Sequence, residues 1–331
     1  MKYFKNSFIL LFLGLILAYF IGGIYALYIT SLLVILEISL SFDNAVVNAK
    51  VLETMSPLWQ KRFITFGIPI AVFGMRFLFP IFIVSIASGL GIFETFSMAI
   101  NHPHNYHSTL ESVEKLIYAF GGAFLFMIFL DFIFDNEREE KWIKIIEDAQ
   151  TVKNIGKVNN IEFLISILLG VLITYFSQNY HISLAYFLGI FLYTIVSSLD
   201  ELLSTNGVRN GFIGLLYLEL LDASFSFDGV IGAFALSNNI FIIMIGLGIG
   251  AMFVRSLTIY FVEQKTLTEY RYLEHGANYA IFALSFVMFY KIFFDLNELI
   301  IGSIGITFIL LSGYFSIVEN NKEKLALQYI E

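Results

Sequence analysis

The sequence predicts an all-α, polytopic transmembrane helix bundle of about ten spans. Three observations carry that expectation. The 331-residue chain is 58% hydrophobic and only 14% charged, with a mean hydropathy of +0.80, whereas a soluble domain is roughly a quarter charged. Its apolar runs reach about 18–25 residues, the length a helix needs to cross the hydrocarbon core. Alternating strand-like segments are absent, which disfavours an outer-membrane barrel.

Taken in order, the spans fall at roughly 6–23, 25–49, 63–88, 115–134, 161–178, 182–199, 211–236, 240–262, 276–294 and 299–318. Only a Gly22-Gly23 turn separates the first two. Lys2 and Lys5 precede the first apolar run as they would in a signal peptide. No small-x-small cleavage site follows, so the run reads as a retained first helix. Cytoplasmic loops should carry the basic residues. With the N-terminus inside, only Lys115 and Lys291 of the 19 Lys and Arg fall outside, and only Arg76 and Arg255 lie within spans. Both termini are therefore expected in the cytoplasm, and the chain in the cytoplasmic membrane. The hydrophilic linker 135–160 interleaves Trp142, Ile143, Ile145 and Ile146 with charges over Glu137–Asp148. An interfacial amphipathic helix fits that pattern, though a solvated connector is favoured.

Composition removes several function classes. With no cysteine, disulfides and thiolate metal sites are excluded. The net charge of -8 says little about a partner, and no basic face suits nucleic acid.

One stretch recurs. Glu37-Ile-Ser-Leu-Ser-Phe-Asp43-Asn44 is answered by Asp222-Ala-Ser-Phe-Ser-Phe-Asp228-Gly229, aligning Glu37 with Asp222, Ser39 with Ser224, Ser41 with Ser226 and Asp43 with Asp228. The copies lie five crossings apart, so they are expected to run in opposite directions. Gly67 to Arg76 resembles Gly246 to Arg255, and Tyr118-Ala119 weakly resembles Tyr279-Ala280. The expectation is a single transmembrane domain over 1–331. It holds an inverted three-helix repeat, 25–134 (spans 2–4) and 211–294 (spans 7–9), an arrangement common in secondary transporters.

A carboxylate at mid-membrane costs about 2.5–3.5 kcal/mol, so these acids ask for a function. On a regular helix Ser39 shares a face with Asp43, Glu37 with Ser41, and Glu219 with Asp222, while Glu37 and Asp43 diverge by about 120°. Convergence on one cavity requires the helices to deform near Asp43-Asn44 and Asp228-Gly229. The donors are all oxygen: Glu37, Asp43, Glu219, Asp222, Asp228, the serines including Ser41 and Ser226, and the amides Asn44 and Asn48. Such ligands suit Mg²⁺, Ca²⁺ and Mn²⁺. The bland alternative is that the acids pair with Arg76 and Arg255, but five acids against two arginines leave three unmatched.

Glu37-x5-Asp43-Asn44 and Glu219-x2-Asp222-x5-Asp228 resemble the paired motifs of TerC-type integral membrane proteins. The run Ser-Phe-Asp-Asn-Ala-Val-Val-Asn-Ala, with Glu274-His275-Gly276-Ala277 at the start of span 9, is similar to an uncharacterised TerC-like branch. The resemblance covers spans 2–4 and 7–9. It implies kinship with LysE-type exporters and metal-ion export, with Glu37, Asp43, Asn44, Glu219, Asp222 and Asp228 as site candidates.

His102, His104 and His107 crowd the outer loop, where an outer metal-capture role is the weaker expectation. His275 beside Glu274 reads equally as a proton-coupling pair or a helix start.

The expected function is export of a divalent cation, Mn²⁺ first, by a secondary transporter coupled to inward H⁺ or Na⁺. No nucleotide motif suggests ATP drive, no resident cofactor is expected, and an enzyme is least favoured. The partners are the metal ion and the lipid bilayer, with a homo-oligomer left open. The rivals are a membrane scaffold in a stress-response complex and an organic-solute exporter, whose cationic groups would have to be Arg76 and Arg255.

Overall fold

The computed structural model describes residues 2–328 except Glu137, Glu139, 204–211, Asn238 and Asn297. Side chains are further outside the described set at 64, 67–69, 71, 72, 75, 200–203, 213, 221, 223–228, 231, 235, 298–302 and 324–328. Among the described residues there is no strand. The helices are α1 (Lys5–Leu40), α2 (Phe42–Glu53), α3 (Pro57–Pro69), a π-helical segment (Ile70–Leu78), α4 (Phe79–Ser88), α5 (Ile92–Asn101), α6 (Pro103–Phe134), α7 (Lys144–Glu147) and α8 (Gln150–Ile155). They continue with α9 (Ile161–Ser177), α10 (Tyr180–Leu203), α11 (Phe212–Leu236), α12 (Ile240–Glu263), α13 (Thr266–Glu269), α14 (Leu273–Lys291) and α15 (Glu298–Gln328). Five described helices are long and apolar enough to cross a membrane, and six if the bent pair α4–α5 forms one span. This is a multi-pass helical membrane protein. The acids Glu219, Asp222 and Asp228 keep α11 out of that count.

The run called α1 is two arms. Gly22 and Gly23 leave helical geometry, and Gly23 adopts φ +65°, which a residue without Cβ tolerates. The contacts then reverse. Ser7 Oγ donates to the Met252 carbonyl at 3.0 Å, and Gly14 lies against Ile245 and Ile249. Past the turn, Leu33 lies against Gly246 and Glu37 against Gly250. The first arm therefore runs antiparallel to α12 and the second parallel to it, so the expected turn between the first two spans is present. Gly246 and Gly250 form a small-residue face that lets the second arm approach closely.

Several expected boundaries move. The second span does not run unbroken over 25–49: it breaks at Ser41 (φ -107°, ψ 16°) and continues as α2 to Glu53. Helical structure starts at Pro103 rather than 115, because Pro103 takes the first turn, where a missing N–H costs nothing. His104 and His107 thus stand on a helix, not a loop. The span at 63–88 contains the π-helical segment, bracketed by Pro69 and Pro80, and Pro80 has no N–H to offer the carbonyl one turn before it. Its C-terminal end bends by 118° into α5 across Gly89, which holds φ +75°. The last helix extends well past 318, and the ninth begins at Leu273. Over Glu137–Asp148 no single amphipathic helix forms; the described part holds only the one-turn α7. Trp142 and Ile143 pack on the core while Ile145 is 91% exposed.

Two apolar cores are stacked along the helices. One joins α2, α6, α10 and α14, and the other joins α1, α4, α6, α11 and α12. On α1 and α2 the acids fall between Leu33 of one core and Ala45 of the other. On α11 they fall between Leu218 and Val230. The charged groups occupy the layer between.

Candidate functional site: a buried arginine–carboxylate layer

Glu37 stands one turn before the break at Ser41. Ser41 Oγ donates to Glu37 Oε1 at 2.8 Å, so the residue that ends the helix also fixes the acid. Gly250 of α12 leaves room for the Glu37 stem: a Cβ there would meet Glu37 Cβ at 2.5 Å. Gly229 of α11 does the same for the head, with 2.9 Å to Glu37 Oε2.

Arg76 is delivered by the π-helical segment, a geometry often found at functional positions. Its Nη2 donates to Glu37 Oε1 at 2.5 Å and its Nη1 to Asp222 Oδ2 at 2.9 Å. The Arg76 and Glu37 side chains are each 1% exposed. The two acidic motifs therefore meet in space, through one guanidinium. Its planar fork suits two carboxylates in a way a lysine point charge does not.

A second pair lies beside the first. Arg255 Nη2 donates to Glu219 Oε1 at 3.1 Å, and the Arg255 guanidinium sits 4.1 Å over the Phe63 ring. Asn48, Arg76, Asp222, Ala251, Val254, Arg255 and Thr258 line one polar cavity that joins the two pairs, with about the room of a single water. The arrangement is not symmetric. Arg76 bridges both motifs, whereas Arg255 bonds Glu219 on the neighbouring helix.

Asp43 stands apart from these bridges. It is 5% exposed and accepts the Asn44 backbone N–H at 3.0 Å. A Cβ on Gly305 of α15 would lie 3.3 Å from Asp43 Oδ2. Both polar atoms of the Asn44 side chain, and Asn48 Oδ1, are buried without a hydrogen-bond partner among the described residues. Native structures rarely leave such groups unmatched. This is an oxygen-rich patch beside the arginine-held acids, and Asn48 belongs to both, since it also lines their cavity.

The remaining candidates separate. The side chains of Ser226 and Asp228 lie outside the described residues. α11 runs as one helix through Asp228-Gly229, so the break expected there is absent; Gly229 serves close approach to Glu37 instead. In the first copy the break falls at Ser41, ahead of Asp43. Glu274 and His275 lie at the other end of α14, away from the charged layer. Glu274 Oε2 meets Lys50 Nζ at 2.7 Å, and His275 Nδ1 lies 2.9 Å from Glu147 Oε2. Among the described residues no three His, Asp or Glu side chains are grouped to hold a metal ion; His107 meets Glu111 at 3.5 Å and packs edge-on against Phe234.

Glu147 was not singled out by sequence, since nothing distinguishes it from Asp148 in a charged linker. Yet its side chain is wholly withdrawn from solvent. It accepts the Ile143 N–H at 3.1 Å and the Tyr279 hydroxyl at 3.2 Å. Burial opposes its charge, but the hydrogen bond and charge of His275, the Ile143 N–H and Arg138 outweigh that opposition. They hold Glu147 below the usual carboxylate range.

Among curated proteins and solved structures, none matches the chain. One family description matches residues 42–323, from the start of α2 into α15. On that match the chain belongs to the family described as "Protein of unknown function (DUF475)".

Proposed function

We propose that this chain is a secondary transporter exporting a divalent metal cation, Mn²⁺ first among candidates, across the cytoplasmic membrane. On this reading it has ten spans, both termini inside, and two inverted three-helix repeats of TerC type. The observation that carries the reading is the Arg76 bridge, which draws one carboxylate from each acidic motif to a single buried point. Secondary transporters with inverted repeats place their ion sites at such a repeat interface.

The charge balance supports a cation. Four described acids in the layer, Glu37, Asp43, Glu219 and Asp222, face two arginines, so the layer carries more acid than it can neutralise. Asp43, with the oxygens of Asn44 and Asn48, offers the hard donors that Mn²⁺ and Mg²⁺ prefer. A cation at Asp43 would sit next to the acids that Arg76 and Arg255 hold, so its loading and their pairing would influence each other through charge rather than by sharing ligands. Rocking of the repeats about that network would expose it to one side at a time. Efflux against an inside-negative potential costs about 2.3 kcal/mol per charge per 100 mV, which inward H⁺ or Na⁺ would supply.

A second reading is favoured by the pairing of Glu37, Asp222 and Glu219 with arginines: a membrane scaffold whose acids hold the bundle together. Proteoliposome flux of Mn²⁺, Mg²⁺ and Ca²⁺ under an imposed pH or Na⁺ gradient separates the two. Gradient-dependent flux that Asp43→Asn abolishes supports the transporter. Absence of flux for all three ions, with an Asp43→Asn effect on stability alone, supports the scaffold.

A further inference from the structure

We infer, independently of the transport reading, that a phospholipid with an anionic headgroup lies in a furrow beside the first arm of α1. Lys2, Tyr3 and Lys5 hold its headgroup, and an acyl chain runs inward along Leu13 and Leu17.

The first arm meets α12 along one narrow seam. Ser7 Oγ lies 3.0 Å from the Met252 carbonyl and 2.8 Å from Ser256 Oγ, and Gly14 lies against Ile245 and Ile249. Beside that seam the arm stands off. A cavity of about 290 Å³ opens between the arm, α12 and the π-helical segment, with Leu10, Leu13, Leu17, Phe73, Ile245 and Met252 in its walls. Leu13 also lines a cavity of about 830 Å³ that follows the arm past Phe12, Ile9 and Phe8 to Lys5 and Lys2. The shared leucine joins the two into one apolar furrow with a basic mouth. From Lys5 to Leu17 the arm rises about 18 Å at 1.5 Å per residue, close to one leaflet's half of a hydrocarbon core about 30 Å thick.

The mouth suits an anion. Lys2 and Lys5 are exposed, and neither forms an ion pair among the described residues. Lys2 Nζ stands 5.7 Å from the centre of the Tyr3 ring. The Tyr3 hydroxyl accepts from Gln264 Nε2 at 3.0 Å, which leaves its own proton to donate. Two ammonium groups and a phenol at a membrane surface match a lipid phosphate.

The chemistry of the furrow narrows the occupant. A peptide lying there would leave its backbone N–H and C=O groups unmatched among leucines, whereas an acyl chain has no such groups. A second copy laying its own arm alongside in parallel would set Lys2 and Lys5 against the same lysines, like charge on like. An anionic phospholipid satisfies both ends at once. Phe73 stands three residues before Arg76 on the π-helical segment, so the bound chain braces the segment that presents that arginine. The arm precedes the matched residues 42–323, so the furrow is an addition to what the family description covers.

Native mass spectrometry of the full chain, released from nanodiscs holding phosphatidylglycerol and phosphatidylcholine in equal amounts, tests this. The protein retains phosphatidylglycerol in preference, by about fivefold for each lysine, the factor one favourable charge supplies at a membrane surface. Lys2→Gln with Lys5→Gln, both at exposed positions, brings the ratio close to one. Leu13→Trp, at a side chain 55% exposed within the furrow, lowers retention of both lipids while leaving the lysines in place. An unchanged ratio in the lysine variant overturns the headgroup assignment, and undiminished retention in Leu13→Trp overturns the furrow. Release of a dimer of the chain without bound lipid overturns the proposal as a whole.

Discussion

The Glu37 carboxylate lies 2.5 Å from Arg76 Nη2, on helical segments broken in two different ways. The acid precedes a sharp break at Ser41, and the arginine rides a widened π-helical turn. Each irregularity sits within a few residues of the charge it serves. Regular helices would have had to place both groups by rotation alone, whereas here the backbone itself is reshaped around the pair.

Removing the arginine should unmask the cost of the acids. Arg76→Gln leaves Glu37 and Asp222 buried without their shared cation, and breaking a buried pair costs about 3–5 kcal/mol. Thermal unfolding in detergent should show a large loss. Arg76→Lys should recover only part of it, because an ammonium cannot serve both carboxylates in the same planar geometry.

Asp43→Asn should behave in the opposite way. The residue has one hydrogen bond from a backbone N–H and no arginine partner among the described residues, so neutralising it should change stability by less than about 1 kcal/mol. Mn²⁺ flux, and any Mn²⁺-dependent rise in melting temperature, should disappear. Retention of both would remove Asp43 from the transported ion's path.

Gly250 tests how closely α1 and α12 must pack. A methyl there would meet Glu37 Cβ at 2.5 Å and Cγ at 2.6 Å. Gly250→Ala should destabilise by about 1–3 kcal/mol through overpacking. Gly305→Ala should cost less, since its Cβ would stand 3.3 Å from Asp43 Oδ2 and the carboxylate need shift only a few tenths of an ångström; reduced flux there would place the methyl in the ion's path. Denaturation midpoints of both variants measure the difference.

The linker attachment should depend on pH. Glu147 is held below its ordinary value of 4.5, so its charged form stabilises the folded linker fully above that value. That contribution falls away as pH drops below 4.5 through the folded-state value. The protection of the Ile143 and Glu147 amides against hydrogen exchange, taken relative to the intrinsic rate at each pH, should fall in that acid range. Glu147→Gln should exchange quickly at every pH and show no such transition.

How far the sequence could be read depends on which forces act locally. The apolar runs, the Gly22-Gly23 turn and the repeated acid pattern were legible, because they are written in neighbouring residues; that the two motifs meet was not, because the Arg76 bridge joins residues 39 and 146 positions away. The break at Ser41 was placed two to three residues late, at Asp43-Asn44, since no residue there is a helix breaker; close approach to α12 and the Ser41–Glu37 bond accompany it. The break expected at Asp228-Gly229 is absent for a related reason. A glycine in a helix signals either a bend or a near neighbour, and only packing tells which. Glu147 was illegible because its burial depends wholly on His275 and Tyr279, more than a hundred residues away.

The clasp of both α1 arms around α12 has a consequence for biogenesis. Glu37 enters the bilayer roughly 200 residues before Gly250 is synthesised, a delay on the order of ten to forty seconds at about 5–20 residues per second. During that interval the acid lacks Asp222's company and the groove of α12, and at first it lacks Arg76 as well. An isolated carboxylate in lipid is expensive unless it is protonated or drawn toward the interface. The nascent hairpin should therefore sit shallow or tilted at the translocon until the second half of the chain arrives, and loss of Arg76 should prolong its dependence on insertion chaperones.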